Sequence, residues 1–282
     1  MKKLLLVLIF YLSFVTRNSS FADNSPLGAR LAGIGGASVS LADVWSAQNN
    51  QAGLGFQKNY SAGIVYQNHF LIKELSTKAF SAVVPVKGGT FGLLVSNFGY
   101  SQFMQNKIAL AFGKSFGEKI SAGIAMDYLA TAIPEYGKKN SFVAEMGIQA
   151  KPLKNLTIGI HIYNPTKTKL ASYNDERMPT IMRLGGDYKF SQKVLLAVET
   201  EKDINTKAIL KAGIEYHPIN VLYVRAGAST NPSLSCFGFG INYKQFKLDV
   251  ATTYHATLGL TPHIGLIYEF EKAEKTETQP SK

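Results

Sequence analysis

From Tyr60 to Phe270 the chain alternates apolar and polar residues with a period of two, the pattern of strands whose two faces meet different surroundings. Ile120, Ala122, Ile124, Met126 and Tyr128 share one phase, with Ser121, Gly123, Ala125 and Asp127 on the other. Phe142, Ala144, Met146, Ile148 and Ala150 alternate with Val143, Glu145, Gly147 and Gln149. Leu156, Ile158, Ile160 and Ile162 alternate with Thr157, Gly159, His161 and Tyr163, and the rhythm returns over 246–255 and 263–270. Along the chain it predicts about fourteen strands, centred near residues 65, 81, 93, 109, 124, 146, 159, 185, 197, 211, 223, 239, 250 and 267. None of these segments holds the 18 or so consecutive apolar residues of a helical span.

One long stretch breaks the alternation. Gly28 to Phe56 is rich in Gly and Ala and carries the sole tryptophan, Trp45, beside the polar run Gln48-Asn49-Asn50-Gln51. Ahead of it stand Met1-Lys2-Lys3, an apolar run from Leu4 to Val15, and Phe21-Ala22-Asp23. That succession is a secretory signal, with cleavage expected near Ala22; the apolar run is shorter than the ~20 residues that cross a bilayer. The division expected is a signal peptide over 1–22, a hatch or plug over 23–58, a barrel over 59–270 and a polar periplasmic tail over 271–282.

The connections support a barrel. If the first strand starts in the periplasm, even-numbered connections are tight turns and odd ones are longer outer loops. Lys87-Gly88-Gly89, Lys151 to Asn155, Ser191 to Lys193, Pro218 to Asn220 and Lys244-Gln245 are short, whereas the odd set includes Asn164 to Met178 and Thr131 to Asn140. Tyr60, Phe116, Tyr188, Phe190, Tyr216, Tyr243, Phe246, Tyr268 and Phe270 fall at the expected periplasmic strand ends, where a membrane interface takes aromatic rings. The fold class predicted is all-β: an antiparallel transmembrane β-barrel of about 14 strands with an N-terminal hatch inside the lumen, placed in a bacterial outer membrane with lipid around it.

Charge then distinguishes the two faces. Asp127, Glu145, His161, Arg183, Asp187, Glu199, Glu201, Lys207, Lys211, Glu215, Arg225, Lys247, Asp249 and Glu269 share the second phase, which in a barrel faces the lumen. Opposite charges there offset the cost of desolvation, so a charge network is expected against the hatch. A soluble β-sandwich would also alternate, but it gives no account of so many ionisable groups on one face. Loss of residues 1–22 removes Lys2, Lys3 and Arg17 and lowers the formal charge from +11 to +8. The positive charge is spread rather than clustered, and several lysines fall in turns, so nucleic acid is not an expected partner.

Candidate chemistry is sparse. Cys236 is the only cysteine, which excludes an internal disulfide and reads as a small buried filler. His69, His161, His217, His255 and His263 lie on separate strands without metal-ligand spacing. No Gly-x-Ser-x-Gly elbow is present, and Gly33-Ile34-Gly35-Gly36 neither follows a strand nor opens a βαβ unit. No catalytic residue, metal or cofactor is expected. Within the hatch, Ser40 to Ala47 reads as one or two helical turns and Gln48 to Gln51 as an exposed or hydrogen-bonded turn. Gly33, Gly35, Gly36, Asp43, Trp45, Asn49, Asn50 and Gln51 are the candidate gate residues, in a segment that serves either as a gate or as a permanent stopper.

The wording Ala29-Arg30-Leu31-Ala32-Gly33-Ile34-Gly35-Gly36-Ala37, then Leu41-Ala42-Asp43, then Asn49-Asn50-Gln51-Ala52-Gly53-Leu54 resembles the hatch of the PorV/PorQ proteins, within the wider FadL-like barrels of bacterial outer membranes. The match covers residues 29–56; the rest agrees as a series of strands. The resemblance implies a fourteen-stranded barrel with a hatch. The PorV/PorQ branch implies protein contacts in type IX secretion or surface attachment, with secretion components or exported proteins as partners. The FadL branch implies transport of long-chain fatty acids or other hydrophobic small molecules. Two departures stand out. The family's Asn-Pro-Ala is Asn50-Gln51-Ala52 here, and the outer loops are short, which weakens both a loop-built fatty-acid groove and a cargo-gripping surface.

Overall fold

Each of the alternating segments finds a hydrogen-bonding neighbour on both sides. The computed structural model describes residues 24–134, 137–168, 177–204 and 206–270; the expected signal peptide and tail lie outside the described residues. Fourteen antiparallel strands follow the chain around a closed barrel: β1 (Ser61–Asn68), β2 (Ser76–Val86), β3 (Gly89–Tyr100), β4 (Phe103–Phe116), β5 (Ile120–Ile133), β6 (Gly137–Leu153), β7 (Leu156–Tyr163), β8 (Ile181–Lys189), β9 (Val194–Asp203), β10 (Ile209–Ile219), β11 (Leu222–Ser229), β12 (Leu234–Tyr243), β13 (Phe246–His255) and β14 (Gly259–Glu269). β14 closes on β1 from Ser61↔Glu269 to Gln67↔His263. Every centre expected from the alternation lies inside its strand.

The pleat sends one phase outward and the other into the bore. Along β5 and β6, Ile124, Met126 and Phe142 are 63%, 54% and 62% exposed, while Ser121, Asp127 and Val143 are fully buried. Burying polar residues and exposing apolar ones inverts the pattern of a soluble domain and suits a wall bathed in hydrocarbon.

Some strands outrun their sequence signal. Thr131 to Asn140, expected as an outer loop, is mostly ladder: Thr131↔Lys139, Ala132↔Lys138 and Ile133↔Gly137 extend the β5–β6 pair. Polar side chains there reach past the apolar belt, so polarity marks the edge of the belt rather than the end of the hydrogen bonding. At the opposite end Lys151 lies within β6 and Pro218 within β10, each beside a register shift. The long connection after β7 is tied down at Asn164, whose N–H donates to the Ala144 carbonyl at 3.0 Å and whose side-chain amide donates to that of Met178 at 3.0 Å.

The segment before β1 fills the bore. It contains α1 (Ala29–Gly33), α2 (Ser46–Asn49) and a 3-10 helix over Gln51–Phe56. Val44, Trp45, Ala47 and Leu54 pack against Val65, Val83, Leu94, Ala111 and Ile267, whereas Leu31, Ile34, Ala37 and Leu41 pack against Leu195 and Ala197. These short helices carry no apolar face of their own length; the surrounding wall stabilises them.

Candidate functional site

Where the inner segment meets the wall, backbone touches backbone. A Cβ added at Gly123 would stand 2.3 Å from the Gln51 carbonyl carbon, at Gly159 2.2 Å from the Val39 oxygen, at Gly213 2.3 Å from the Ile34 oxygen and at Gly227 2.3 Å from the Gly35 nitrogen. Several of these glycines are direct cross-strand neighbours, as in Gly113↔Gly123↔Gly147, Gly159↔Gly185 and Gly213↔Gly227. Even a methyl group would overpack the interface, at about 1–3 kcal/mol per site. Within the segment, Gly35 and Gly36 have φ of +72° and +77°, a left-handed turn that lets Gly36 N–H return to the Leu31 carbonyl at 2.9 Å and end α1.

Three wall carboxylates then grip the segment from different directions. On β6, Glu145 accepts from the Gln51 side-chain amide at 2.7 Å, lies 2.8 Å from the His161 ring nitrogen, and pairs with Lys107 at 2.9 Å. Lys107 also reaches Asp127 at 2.6 Å. On β9, Glu199 accepts from the backbone N–H groups of Ser38 and Val39 at 2.7 and 2.8 Å, and its other oxygen accepts from Lys211 at 2.9 Å. Glu201 ties Lys211 (2.8 Å) to Arg183 (2.7 Å), and Arg183 donates to the Asn24 carbonyl. On β10, Glu215 takes a two-pronged bond from Arg30, 2.8 Å on each oxygen, and a further one from Arg225 at 2.6 Å; Arg225 continues to Asp249 at 2.6 Å. Each carboxylate is thus shared between a wall cation and the segment, and each charge-assisted bond stabilises docking by about 1.5–3 kcal/mol.

Of the residues singled out from sequence, Asp127 and Glu145 therefore share one cluster, Arg183, Glu199 and Lys211 a second, and Glu215, Arg225 and Asp249 a third. Asp187 stands apart, against Ser40 and Thr157, and Lys207 lies exposed in the β9–β10 connection. Lys107 escaped notice in the sequence because it follows Gln105-Asn106 at the polar end of a strand; its partners come from β5 and β6. The wall glycines were visible on the inward phase, but what they approach is not encoded locally.

The run Gln48 to Gln51 is buried and hydrogen-bonded rather than exposed. Asn49 clasps the Leu27 peptide, accepting from its N–H and donating to its carbonyl, both at 3.0 Å. Asn50 caps the 3-10 helix by accepting from Ala52 N–H at 3.1 Å and donates to the Val39 carbonyl at 2.6 Å. Gln51 occupies the first helical position, where proline is tolerated, and uses its side chain on Glu145. Asp43 accepts from Trp45 N–H at 2.8 Å, and Trp45 lies against Gly28 and Gly63. Gly33 fits between Arg225 and Gly238. Burial pushes the Asp43 carboxyl above its ordinary range, partly countered by Arg30. Burial would lower the Arg30 guanidinium, but Glu215 more than offsets it and holds the pKa above its usual value.

Two cavities flank the segment. On the long-loop side a space of about 360 Å³ is bounded below by Asn24–Pro26 and Gly35–Gly36, with Phe70, Ile181, Ile209 and Leu234 and the imidazoles of His69, His255 and His263 around it. On the short-turn side a bowl of about 430 Å³ is lined by Arg30, Asp43, Lys189, Glu215, Lys247 and Asp249. Among the described residues every strand pairs with both neighbours, and no gap in the ladder opens beside the segment. Cys236 is a buried free thiol, and no group of three or more metal-ligating side chains occurs among the described residues.

No protein-family model matches the chain, and no curated protein matches it in sequence. Solved structures do resemble it. The Pseudomonas putida toluene transporter TodX aligns with a TM-score of 0.69 at 13% identity, covering 89% of this chain and 100% of that one. The Ralstonia pickettii toluene transporter TbuX gives 0.67 at 10% identity, with 88% and 100% covered. A Pseudomonas aeruginosa FadL homologue gives 0.63 at 12% identity, with 85% and 98% covered. At these identities the likeness establishes a common fold, the closed antiparallel barrel of fourteen strands.

Proposed function

We propose that this chain is an outer-membrane channel for small hydrophobic molecules, with residues 24–57 as its hatch, the short turns in the periplasm and the longer loops outside. The observation that carries the reading is the loop-side cavity. Its volume of about 360 Å³ falls within the ~300–1,000 Å³ typical of ligand pockets, and most of the surface it exposes is apolar, although Glu201, Asp203, Lys207 and Lys211 also line it. Solved barrels of the same fold are described as toluene transporters and a monoaromatic hydrocarbon channel, which agrees with such a cargo. The hatch as it stands closes the bore, so passage requires it to shift.

Binding tests the proposal directly. The detergent-solubilised full chain should bind toluene or a medium-chain fatty acid saturably, and Ala32→Phe, which fills the cavity from the hatch side, should abolish that binding. A flat titration with every hydrophobic probe would remove the transport reading. A second reading, a PorV/PorQ-like role in type IX secretion or surface attachment, draws support from the backbone-on-backbone seating of the hatch, which suits a sealed barrel acting through contacts. It predicts that secretion components or exported proteins co-purify from solubilised outer membranes; recovery of a solitary monomer speaks against it.

A further inference from the structure

The outer wall is unequal in charge. All nine Asp and Glu residues in the strands lie on the inward phase, whereas Lys78, Lys138 and Lys202 point outward toward the long-loop rim. Lys202 donates to the Thr206 carbonyl. Lys78 has no hydrogen bond or ion pair with any described residue, and it sits in a shelf of polar groups. Tyr66, Lys78, Asn97 and Asn106 are successive direct partners across β1, β2, β3 and β4, so they form one continuous row on the outward face. Asn97 donates to the Asn106 side-chain oxygen Oδ1 at 2.8 Å, which orients the amide and leaves its second N–H available.

Directly beneath this row the wall turns apolar. A groove of about 660 Å³ runs across the strands between this row and the next, in which Val95, Phe80, Ile64, Leu266 and Leu248 are successive direct partners, and it is floored by the backbone at Val65, Ala79 and Gly265. A cation above a long apolar trough matches the division of a membrane lipid into an anionic head and acyl chains. A lysine on a lipid-facing wall is costly at the midplane but is stabilised at the interface, where anionic headgroups attract it.

We propose that this shelf and groove bind an anionic, phosphate-bearing membrane lipid, with Lys78 and the Asn97 amide on the phosphate, the Tyr66 hydroxyl at the edge, and acyl chains along the groove. A lipid is the occupant, rather than a free ion, because the apolar trough begins where the charge ends. The inference rests on the wall facing a bilayer; it does not depend on whether the hatch passes cargo.

Native mass spectrometry of the full chain released from detergent tests it. Phosphatidylglycerol and phosphatidylcholine of identical chain composition are titrated separately. Phosphatidylglycerol adducts should predominate. Lys78→Gln should weaken them about fivefold, the effect of one basic residue at an anionic surface, while Lys78→Arg retains them. Lys114→Gln, which removes an outward lysine near the short turns, should leave them unchanged. Heat-modifiable gel mobility confirms that each variant is a folded barrel. Equal binding of the two lipids, or indifference to Lys78→Gln, would overturn the site. Displacement of the lipid by millimolar inorganic phosphate would show an ion site only, and would overturn the lipid assignment as well.

Discussion

Replacing Gly213 with alanine tests how the hatch is seated. The added Cβ would lie 2.3 Å from the Ile34 carbonyl oxygen and 2.5 Å from its carbon and Cα, where ordinary contact begins near 3.4 Å. One partner must therefore retreat by about 1.1 Å. β10 cannot, because Gly213 is paired on both sides, with Ala197 and Gly227. The hatch is pinned on either flank of Ile34, by Arg30 on Glu215 and by Ser38 and Val39 on Glu199. With neither side free, the penalty belongs in the upper part of the overpacking range, about 2–3 kcal/mol, which raises the undocked population by roughly 30- to 150-fold. The protein carries its own reporter. Cys236, the sole cysteine, is 1% exposed, directly opposite Gly227 and beside Gly35 of the hatch. Under conditions where redocking outpaces labelling, its rate of reaction with a polar maleimide follows the undocked fraction, so Gly213→Ala should label about 30- to 150-fold faster than the parent. Gly265→Ala is the control, because its Cβ would meet nothing nearer than the Ala29 methyl at 3.4 Å. Equal labelling rates in the two variants, both folded, would refute the reasoning.

Further outcomes follow from the anchors. Glu199→Ala should loosen the hatch by about 1.5–3 kcal/mol, since the Ser38 and Val39 N–H groups lose their charged acceptor while Lys211 keeps Glu201; protease sensitivity near Ser38 measures it. Gln51→Pro restores the wording of the resembling family and suits the first helical position, but it removes the bond to Glu145; a loss of about 1.5–3 kcal/mol in hatch docking is expected from the same maleimide assay, with the barrel unaffected. Asp43 has a raised pKa when docked, so docking binds its proton. This contribution is complete below the ordinary carboxyl range and disappears as pH rises through the raised value, and Asp43→Asn should flatten the acid-side change in Cys236 labelling.

Much of the architecture was legible because a barrel wall repeats one local rule. Alternation over 120–128 or 142–150 places each side chain by parity alone, and sequence-adjacent strands pair, so strand positions and the inward set of ionisable groups could be read directly. The segment inside the bore stood out by failing to alternate. What parity does not carry is height. Glu145, Lys107 and Asp127 meet because the registers of β4, β5 and β6 bring Lys107 to the level of Leu129 and Ser141, near both acids. No local signal fixes those levels. The same gap explains why Thr131 to Asn140 resembled a loop and why the inward glycines looked like weak strand residues rather than close-approach points.

The glycines also bear on the shape of the wall. Cross-strand side-chain pairs normally contribute about 0.2–1 kcal/mol each to holding neighbouring strands at a fixed angle. At the height of Gly113, Gly123 and Gly147, and again at Gly213 and Gly227, the inner surface offers none. There the cylinder keeps its roundness by resting on the peptide within it, as a tube is formed on a mandrel. Any movement that withdraws the occupant softens the cylinder at the same level, so the diameter of the passage is set by the position of the part that blocks it.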